Sequence, residues 1–483
     1  MKKLLIVLTI LSSNLTLFSQ FDHVWTLISQ NNYTAAIDEL KILSEQPETA
    51  VDAGALGIMI SELGMKVDGN LQLMKNLVAN TDTPSPYLFS LYRSSGLTND
   101  FDLDNPERKK FIEDLLKSPK VNESMKTSFH YVLAYHSTFA YEDAERLSHY
   151  NSMSAITDWQ FTGLFDNTSG SGHNKSYGPL AHPEPEAVFY SKKNAEIAWF
   201  TPGYTDFDPW NIFRTMLPGS QGVVYAQTFL DNPTEQEVLL SAGAEGAIKI
   251  WVNDLLVLDI EEEQRTELDY YNSLLTLPAG KNRVLVQISF TNMSSYPNFM
   301  VRLLNKDTYK PINNIKSTTE YAKYNSVSDT KFSNFVPHFG ETYFEEKIKL
   351  DSTNIIDYLL LSKCYSRAKK NNEAIKVLEL GKKIDPSNVL LNLELINNYS
   401  KLNDRTALLF QLEDMRQINP NLLFLKIYDY NIAKENQNYD LANTLLLDLK
   451  SELGEKSIEY LDYQIDMRSA KSEYQELIDL IDQ

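Results

Sequence analysis

Three short segments in the C-terminal third of the chain recur in strict register. Leu350-Asp351-Ser352-Thr353-Asn354 returns as Ile384-Asp385-Pro386-Ser387-Asn388 and again as Ile418-Asn419-Pro420-Asn421, which spaces Ser352, Pro386 and Pro420 34 residues apart. A fixed period of this length constrains the fold more than any compositional total. It has room for two short helices and their turns, and one such pair cannot bury its apolar face alone, so successive pairs must stack. Between Ser352 and Pro386 the large and small positions fall where a helix hairpin needs them: Tyr358, Leu361, Ser362 and Tyr365 on the first helix, Ala374, Leu378 and Gly381 on the second. Small residues let the two helices cross closely, large ones fill the groove to the next helix, and proline ends the second helix. The next period keeps Leu395, Tyr399, Leu412 and Pro420 but has Leu408 at a small position, and the third has Ala433, Ala442 and Leu446 with Gly454 in place of the proline. Helices around Tyr460–Met467 and Tyr474–Leu480 are expected to close the array, and Phe344, Ile348 and Leu350 predict a helix leading into it.

On these positions residues 340–483 resemble tetratricopeptide repeats, and Trp25 to Pro47 resembles one such unit more loosely. The resemblance implies a concave face lined by the first helix of each pair that holds a peptide or a partner protein. It places Tyr358, Tyr365 and Tyr399 among the candidate recognition residues, although the same architecture also suits a plain spacer. From Phe21 to about residue 155 the pattern is helical throughout, with stretches around Ala53–Leu63, Leu71–Val78, Tyr87–Ser94, Arg108–Leu116 and Met125–Tyr141 separated by Gly69, Pro84, Pro86, Pro106 and Pro119.

The middle of the chain changes period. Four of the five tryptophans lie between Trp159 and Trp251, and Ala247–Val252 alternates, with Ile248, Ile250 and Val252 on one face and Lys249 and Trp251 on the other. Val284, Val286, Ile288 and Phe290 alternate likewise, and turn signals at Pro218-Gly219, Asn253-Asp254 and Pro278-Ala279-Gly280 punctuate the runs, predicting antiparallel strands in a sandwich. The ordered series Asp158-Trp159-Gln160-Phe161-Thr162-Gly163, Trp199, Ile250-Trp251-Val252-Asn253-Asp254 and Leu277-Pro278-Ala279-Gly280-Lys281-Asn282 resembles the jelly-roll, sugar-binding domain of family 2 glycosidases. It departs from that pattern at Asp254, where glycine is usual, and at Leu164, where proline is common. The resemblance implies a β-sandwich over residues 156–306 and makes Trp251, Trp210 and Trp199 candidates for stacking on a glycan, with core packing as the competing role. Asp166, Asn167, Asp206 and Asp208 offer loop oxygens of the kind calcium prefers, without the spacing of a known calcium loop. The run Glu261-Glu262-Glu263 reads as a solvated hairpin tip, and residues 307–339 as a polar linker or strap.

Lys2 and Lys3 precede the apolar run Leu4–Leu11 and the ending Leu17-Phe18-Ser19-Gln20, which predicts an export signal over residues 1–20 resembling those of Bacteroidetes. The expected compartment is the periplasm, the cell surface or the medium of a Gram-negative bacterium. No run is long enough for a membrane span. A formal net charge of −20 argues against nucleic acid as a partner. The single cysteine, Cys364, excludes internal disulfides and cysteine metal cages. The order of modules looks like the N-terminal portion of secreted proteins that carry a transglutaminase-like peptidase domain. Such an enzyme needs a cysteine activated by a histidine, and Cys364 falls inside a repeat helix, with His338 as its nearest histidine in sequence. His130 and His136 are six residues apart and face opposite sides of a helix, and His149 and His173 have no ligand-like neighbours in sequence. The expectation is therefore a multidomain α plus β chain in which helical, tetratricopeptide-like arrays (21–155 and 340–483) flank a jelly-roll-like β-sandwich. Its expected role is a non-catalytic scaffold for a protein or peptide partner, with no cofactor and no metal. The alternatives are a carbohydrate-binding accessory protein, and the N-terminal part of a transglutaminase-like peptidase system.

Overall fold

The computed structural model describes residues 21–63, 69–92, 105–203, 208–217, 219, 221–292, 296–327 and 334–481; the expected export signal, Asp206 and Pro218 lie outside them. The fold is mixed α and β with an antiparallel sheet, in the order helices, strands, helices.

Helix α1 (residues 21–29) and α2 (Tyr33–Ser44) form the expected hairpin, followed by α3 (Ala50–Leu63), α4 (Asn70–Ala79) and α5 (Pro84–Leu91). Pro84 starts α5 rather than ending a helix, because a first-turn residue needs no N–H donor. Helices α6 (Pro106–Lys117), α7 (Glu123–Phe139) and α8 (Asp143–Met153) complete this half. Helix α8 has little apolar periodicity and buries only Tyr150 and Met153, so spacing alone does not reveal it.

The β region comprises β1 (Gln160–Phe165), a small hairpin of β2 (Val188–Tyr190) and β3 (Glu196–Ala198), β4 (Asn211–Ile212), the single turn α9 (Phe213–Met216), and then β5 (Gly222–Asn232), β6 (Gln236–Val252), β7 (Leu255–Arg265), β8 (Tyr271–Leu277), β9 (Gly280–Phe290), β10 (Asn298–Leu304), β11 (Lys316–Thr318) and β12 (Phe335–Val336). Strand β6 belongs to two layers: its first half pairs with β8 and β10, its second with β7 and β9, and β9 continues to β5 and β1. The switch is made near Gly246 (φ +130°), where a Cβ would stand 2.7 Å from Ile288 Cγ2; only glycine suits both the backbone and the contact. Ile248, Ile250, Val286 and Ile288 of one layer share a core with Val238, Leu240, Phe299 and Val301 of the other.

The β6–β7 turn is made by Asn253 and Asp254 with both residues left-handed (φ 51° and 68°), as a two-residue hairpin requires. The outer face of the β5–β9–β6 layer is covered by the excursion after β1, so that Phe165, Tyr225, Trp251 and Leu285 pack with Phe189 and Trp199 in a second apolar cluster. The acidic run Glu261–Glu263 is not a hairpin tip: it lies within β7, where the Glu263 carboxylate accepts from the Thr291 N–H at 2.9 Å. Residues 307–327 form a strap along the sandwich. Within it β11 pairs with β5, Tyr321 packs on Phe229, and the Tyr324 hydroxyl donates to the Asp254 carboxylate at 2.8 Å.

Eight helices of the 34-residue region follow α10 (Phe339–Leu350): α11 (Ile355–Arg367), α12 (Asn371–Lys382), α13 (Val389–Lys401), α14 (Arg405–Ile418), α15 (Leu423–Glu435), α16 (Tyr439–Leu453), α17 (Ile458–Ala470) and α18 (Tyr474–Ile481). The repeated sequence signature is a turn followed by a cap. Asp351 and Asp385 accept from the backbone two residues on, and Asn354 and Asn388 cap α11 and α13. Gly381 sits where helices cross: a Cβ there would lie 3.0 Å from Leu391 Cδ2 and 3.3 Å from Tyr358 Cβ.

The third copy lacks the capping asparagine, since Leu422 stands at its N-cap. The acceptor comes from the other end of the chain, where Asn31 Oδ1 in the α1–α2 turn receives the Leu423 N–H at 3.1 Å. Asn31 Nδ2 donates to Asn421 O and Asn419 Nδ2 to Ser29 O, both at 2.7 Å. The two helical arrays therefore meet directly, both here and where α3 and α5 pack on α10 and α11.

Candidate functional site

The stacked first helices put residues three, four and seven apart on one face. On α13 this stripe is Leu390, Leu393, Glu394, Asn397 and Lys401; Leu359 and Lys363 of α11 flank it on one side and Phe424 and Ile427 of α15 on the other, with Met59 of α3 closing the end. Together they enclose a concave space of 540 Å³. It runs on through Lys363, Glu394 and Lys401 into a second space of 420 Å³, whose far wall is Arg265, Thr266 and Glu267 at the end of β7, with Ser90, Ser366, Arg367 and Lys369. The result is one groove, apolar at the α3–α15 end and charged at the sandwich end.

The charged end is held from below by a buried polar junction between α5, α10, α11 and the β7–β8 loop. The Arg367 guanidinium lies 3.8 Å from the Tyr92 ring centre and 4.2 Å from that of Phe89, and pairs with Glu267 at 3.1 Å while the Tyr92 hydroxyl donates to the same carboxylate at 2.9 Å. Glu341 receives Lys370 at 2.9 Å and the Tyr270 hydroxyl. Lys363 and Glu394 pair at 3.1 Å with both side chains nearly buried in the groove floor. Nearby, Lys347 pairs with Asp357 at 2.9 Å, and burial pushes the Asp357 carboxyl up to about 6.

Cys364 lies in this junction, fully buried. His338 is closer to it than the sequence suggests: a Cβ on Gly340 would lie 3.2 Å from Cys364 Sγ and 3.4 Å from His338 Nδ1. The two are nonetheless not an activated pair. Burial pushes the thiol well above its ordinary range and the imidazole down to about 3, which leaves a neutral thiol beside a neutral imidazole, whereas a nucleophile needs the thiolate. His338 Nδ1 instead accepts the Gly340 N–H at 3.2 Å, and its ring packs between Phe89, Tyr270 and Phe339.

The candidate aromatics are placed as follows. Trp251 is 8% exposed and stacks near Tyr225; Trp199 is 7% exposed and donates from Nε1 to His182 O at 3.0 Å. Trp210 is half-buried, edge-on to Tyr131 of α7. These three tryptophans do not form an open platform on the sandwich. Tyr358 is buried with its hydroxyl on Ser352 O, and the hydroxyls of Tyr365 and Tyr399 reach Glu345 and Glu379 at 2.6 and 3.2 Å; none of the three tyrosines lines the groove. The groove is lined by their helix-mates: Lys363 on α11 and Leu393 and Asn397 on α13 stand at variable positions between the packing residues, while Leu359 is a fully buried core residue at its floor.

His130, His149 and His173 have partners that sequence spacing misses. His130 pairs with His149 across α7 and α8, Nδ1 to Nδ1 at 2.9 Å, and burial takes His130 down to about 4. His173 Nε2 meets Asp259 at 2.9 Å. The Asp166 carboxylate, accepting from Thr168 and from Lys175 at 3.1 Å, is held down to about 2, and the Asn167 side chain donates to Phe290 O, so both serve the loop itself. Among the described residues no group of three or more histidine, cysteine, aspartate or glutamate side chains is placed to hold a metal, and no helix is long and apolar enough to cross a membrane.

No family model matches the chain, and no curated protein does. A solved structure of β-glucosidase from Kluyveromyces marxianus in complex with glucose aligns with 17% identity and a TM-score of 0.16, over 20% of this chain and 12% of that one. A likeness at that level carries no argument about fold or activity.

Proposed function

We propose that the chain is a non-catalytic, exported scaffold that holds a protein or peptide partner in the groove along α11, α13 and α15. In this reading residues 340–483 are a tetratricopeptide-like array, the jelly-roll-like sandwich is the wall against which its first repeats are fixed, and residues 1–20 direct export. The observation that carries the reading is the groove itself. Lys363, Glu394, Asn397 and Lys401 of the first helices face one concave space, with half-buried Leu393, Phe424 and Ile427 along it and the Arg367–Glu267 junction at one end. The glycan reading has less support, because Trp251 and Trp199 are covered by the excursion after β1.

The test fills the groove without touching the core. Asn397 is exposed on the groove face of α13, and Asn397→Trp places a large ring there. The full chain and this variant are each used to capture proteins from the native envelope fraction, beside a glycan array. A partner retained by the wild type and lost with Asn397→Trp supports the scaffold. Glycan binding abolished by Trp251→Ala and unaffected by Asn397→Trp sinks it.

A further inference from the structure

At the seam between the two helical arrays, carboxylates crowd one ammonium. Asp52 of α3 and Asp357 of α11 are bridged by a single side chain, Asn354, whose Nδ2 donates to an oxygen of each at 3.3 Å. Lys347 of α10 stands 2.9 Å from Asp357 and donates to the Tyr87 hydroxyl of α5 at 3.0 Å. Asp351, in the turn between α10 and α11, adds a further negative field, while Tyr87 and Tyr343 bring phenol hydroxyls. The Asp357 side chain is 1% exposed and Asp52 is half-buried. Desolvation first, with the Asp351 carboxylate adding to it, holds both carboxyls above the ordinary carboxylate range against the pull of Lys347; the Asp52 charge also acts on Asp357, which stands at about 6. With both ionised, one ammonium faces two desolvated carboxylates. With one proton on the pair, Lys347 and the remaining carboxylate balance.

We propose that this cluster is a proton-operated clasp between the arrays: α3 and α11 are held together most firmly when Asp52 and Asp357 share one proton, and their contact loosens when both ionise. A carboxyl that titrates near 6 in the closed seam, against the usual 3.8 once solvated, contributes stability that is complete below pH 3.8 and is lost as pH rises through 6. His338, held neutral by burial, acts in the opposite sense, so the clasp shows as a difference between wild type and variant at each pH. Met59 lies two turns beyond Asp52 on α3 and closes one end of the groove, so the same proton sets how firmly that end is held. The clasp is independent of what the groove holds.

The test is hydrogen exchange of the full chain, of Asp52→Asn and of Asp357→Asn at pH 5 and pH 7.5, corrected for the intrinsic exchange rate, with thermal melting to check that each variant folds. In the wild type the α3 and α11 amides should be about tenfold better protected at pH 5 than at pH 7.5, while those of α16 are alike at both. Asp357→Asn should abolish that factor. Asp52→Asn should reduce it, because Asp357 then meets Lys347 without the second carboxylate; Asp52 is half-buried, so this variant carries the test if Asp357→Asn does not fold. A factor undiminished in Asp52→Asn means that Asp357 titrates alone and overturns the clasp. Equal protection at the two pH values in the wild type, or the same factor in all three chains, overturns it as well.

Discussion

The two ends of the C-terminal helical array are built from the same period and held in opposite ways. At its start, α10 and α11 are wedged against α3, α5 and the β7–β8 loop. Glu341, Asp357, His338 and the Arg367 guanidinium are buried there among partners from three parts of the chain. At its far end, α16, α17 and α18 pack on α15 and on one another, as where the Tyr430 ring meets Tyr463 and Lys434 pairs with Asp466, and Leu447 and Tyr474 are left 64% and 65% exposed. The groove lies at the anchored end. A stack of hairpins sums nearest-neighbour terms and flexes accordingly, so non-local contacts hold the shape of the groove more firmly than the stack alone would.

The strongest way to break the contrast is to compare one residue type at both ends. Arg367→Ala removes two cation–ring contacts and the ion pair with the partly buried Glu267, so urea unfolding should show a loss of about 3 kcal/mol. The next effect is on pH. His338 titrates at about 3 in the folded chain against 6.5 when unfolded, so its contribution is complete above pH 6.5. Below that it is lost as the unfolded state takes up the proton, at about 1.4 kcal/mol per pH unit for this group. His338→Gln keeps an acceptor for Gly340 N–H and should flatten the acid limb of melting temperature against pH by that slope. An unchanged slope would place His338 outside the apolar junction.

A smaller effect is expected at the clasp between the chain's ends. Asn31→Gly preserves the left-handed backbone (φ 59°) and removes the side-chain bonds to Leu423 N and Asn421 O together with the acceptor of the Tyr33 hydroxyl, for about 1 kcal/mol. Hydrogen exchange at the Leu423 amide should quicken while α11 is unaffected. The smallest is at the free end: Arg468 pairs with Glu473 at 2.6 Å with both side chains partly open to solvent, and Arg468→Ala should leave the urea midpoint nearly unchanged. A cost there equal to that of Arg367→Ala would erase the contrast.

Features written locally were legible in the sequence. The 34-residue period marks helix pairs because caps, crossings and stops recur with it, and Asn253-Asp254 marks a hairpin because few side chains tolerate two left-handed residues in succession. Features made by distant segments were not legible. Trp251 alternates away from the core as its pattern indicates, but nothing in β6 tells that the excursion carrying Phe189 and Trp199 covers it. The cap that Asn31 lends to α15, the His130–His149 pair and the approach of His338 to Cys364 join residues with no shared period. The candidate groove was half legible: the face followed from the helix order, while the sandwich wall with Arg265 and Glu267 followed from tertiary packing alone.

The central claim is that the partner enters between α11, α13 and α15. A photo-reactive amino acid at position 397 on the groove face, compared with one at 376 on the exposed side of α12, tests it in intact cells that make the protein. A discrete cross-linked adduct from 397 and none from 376 is the expected result. An adduct from 376 with none from 397 would contradict the account.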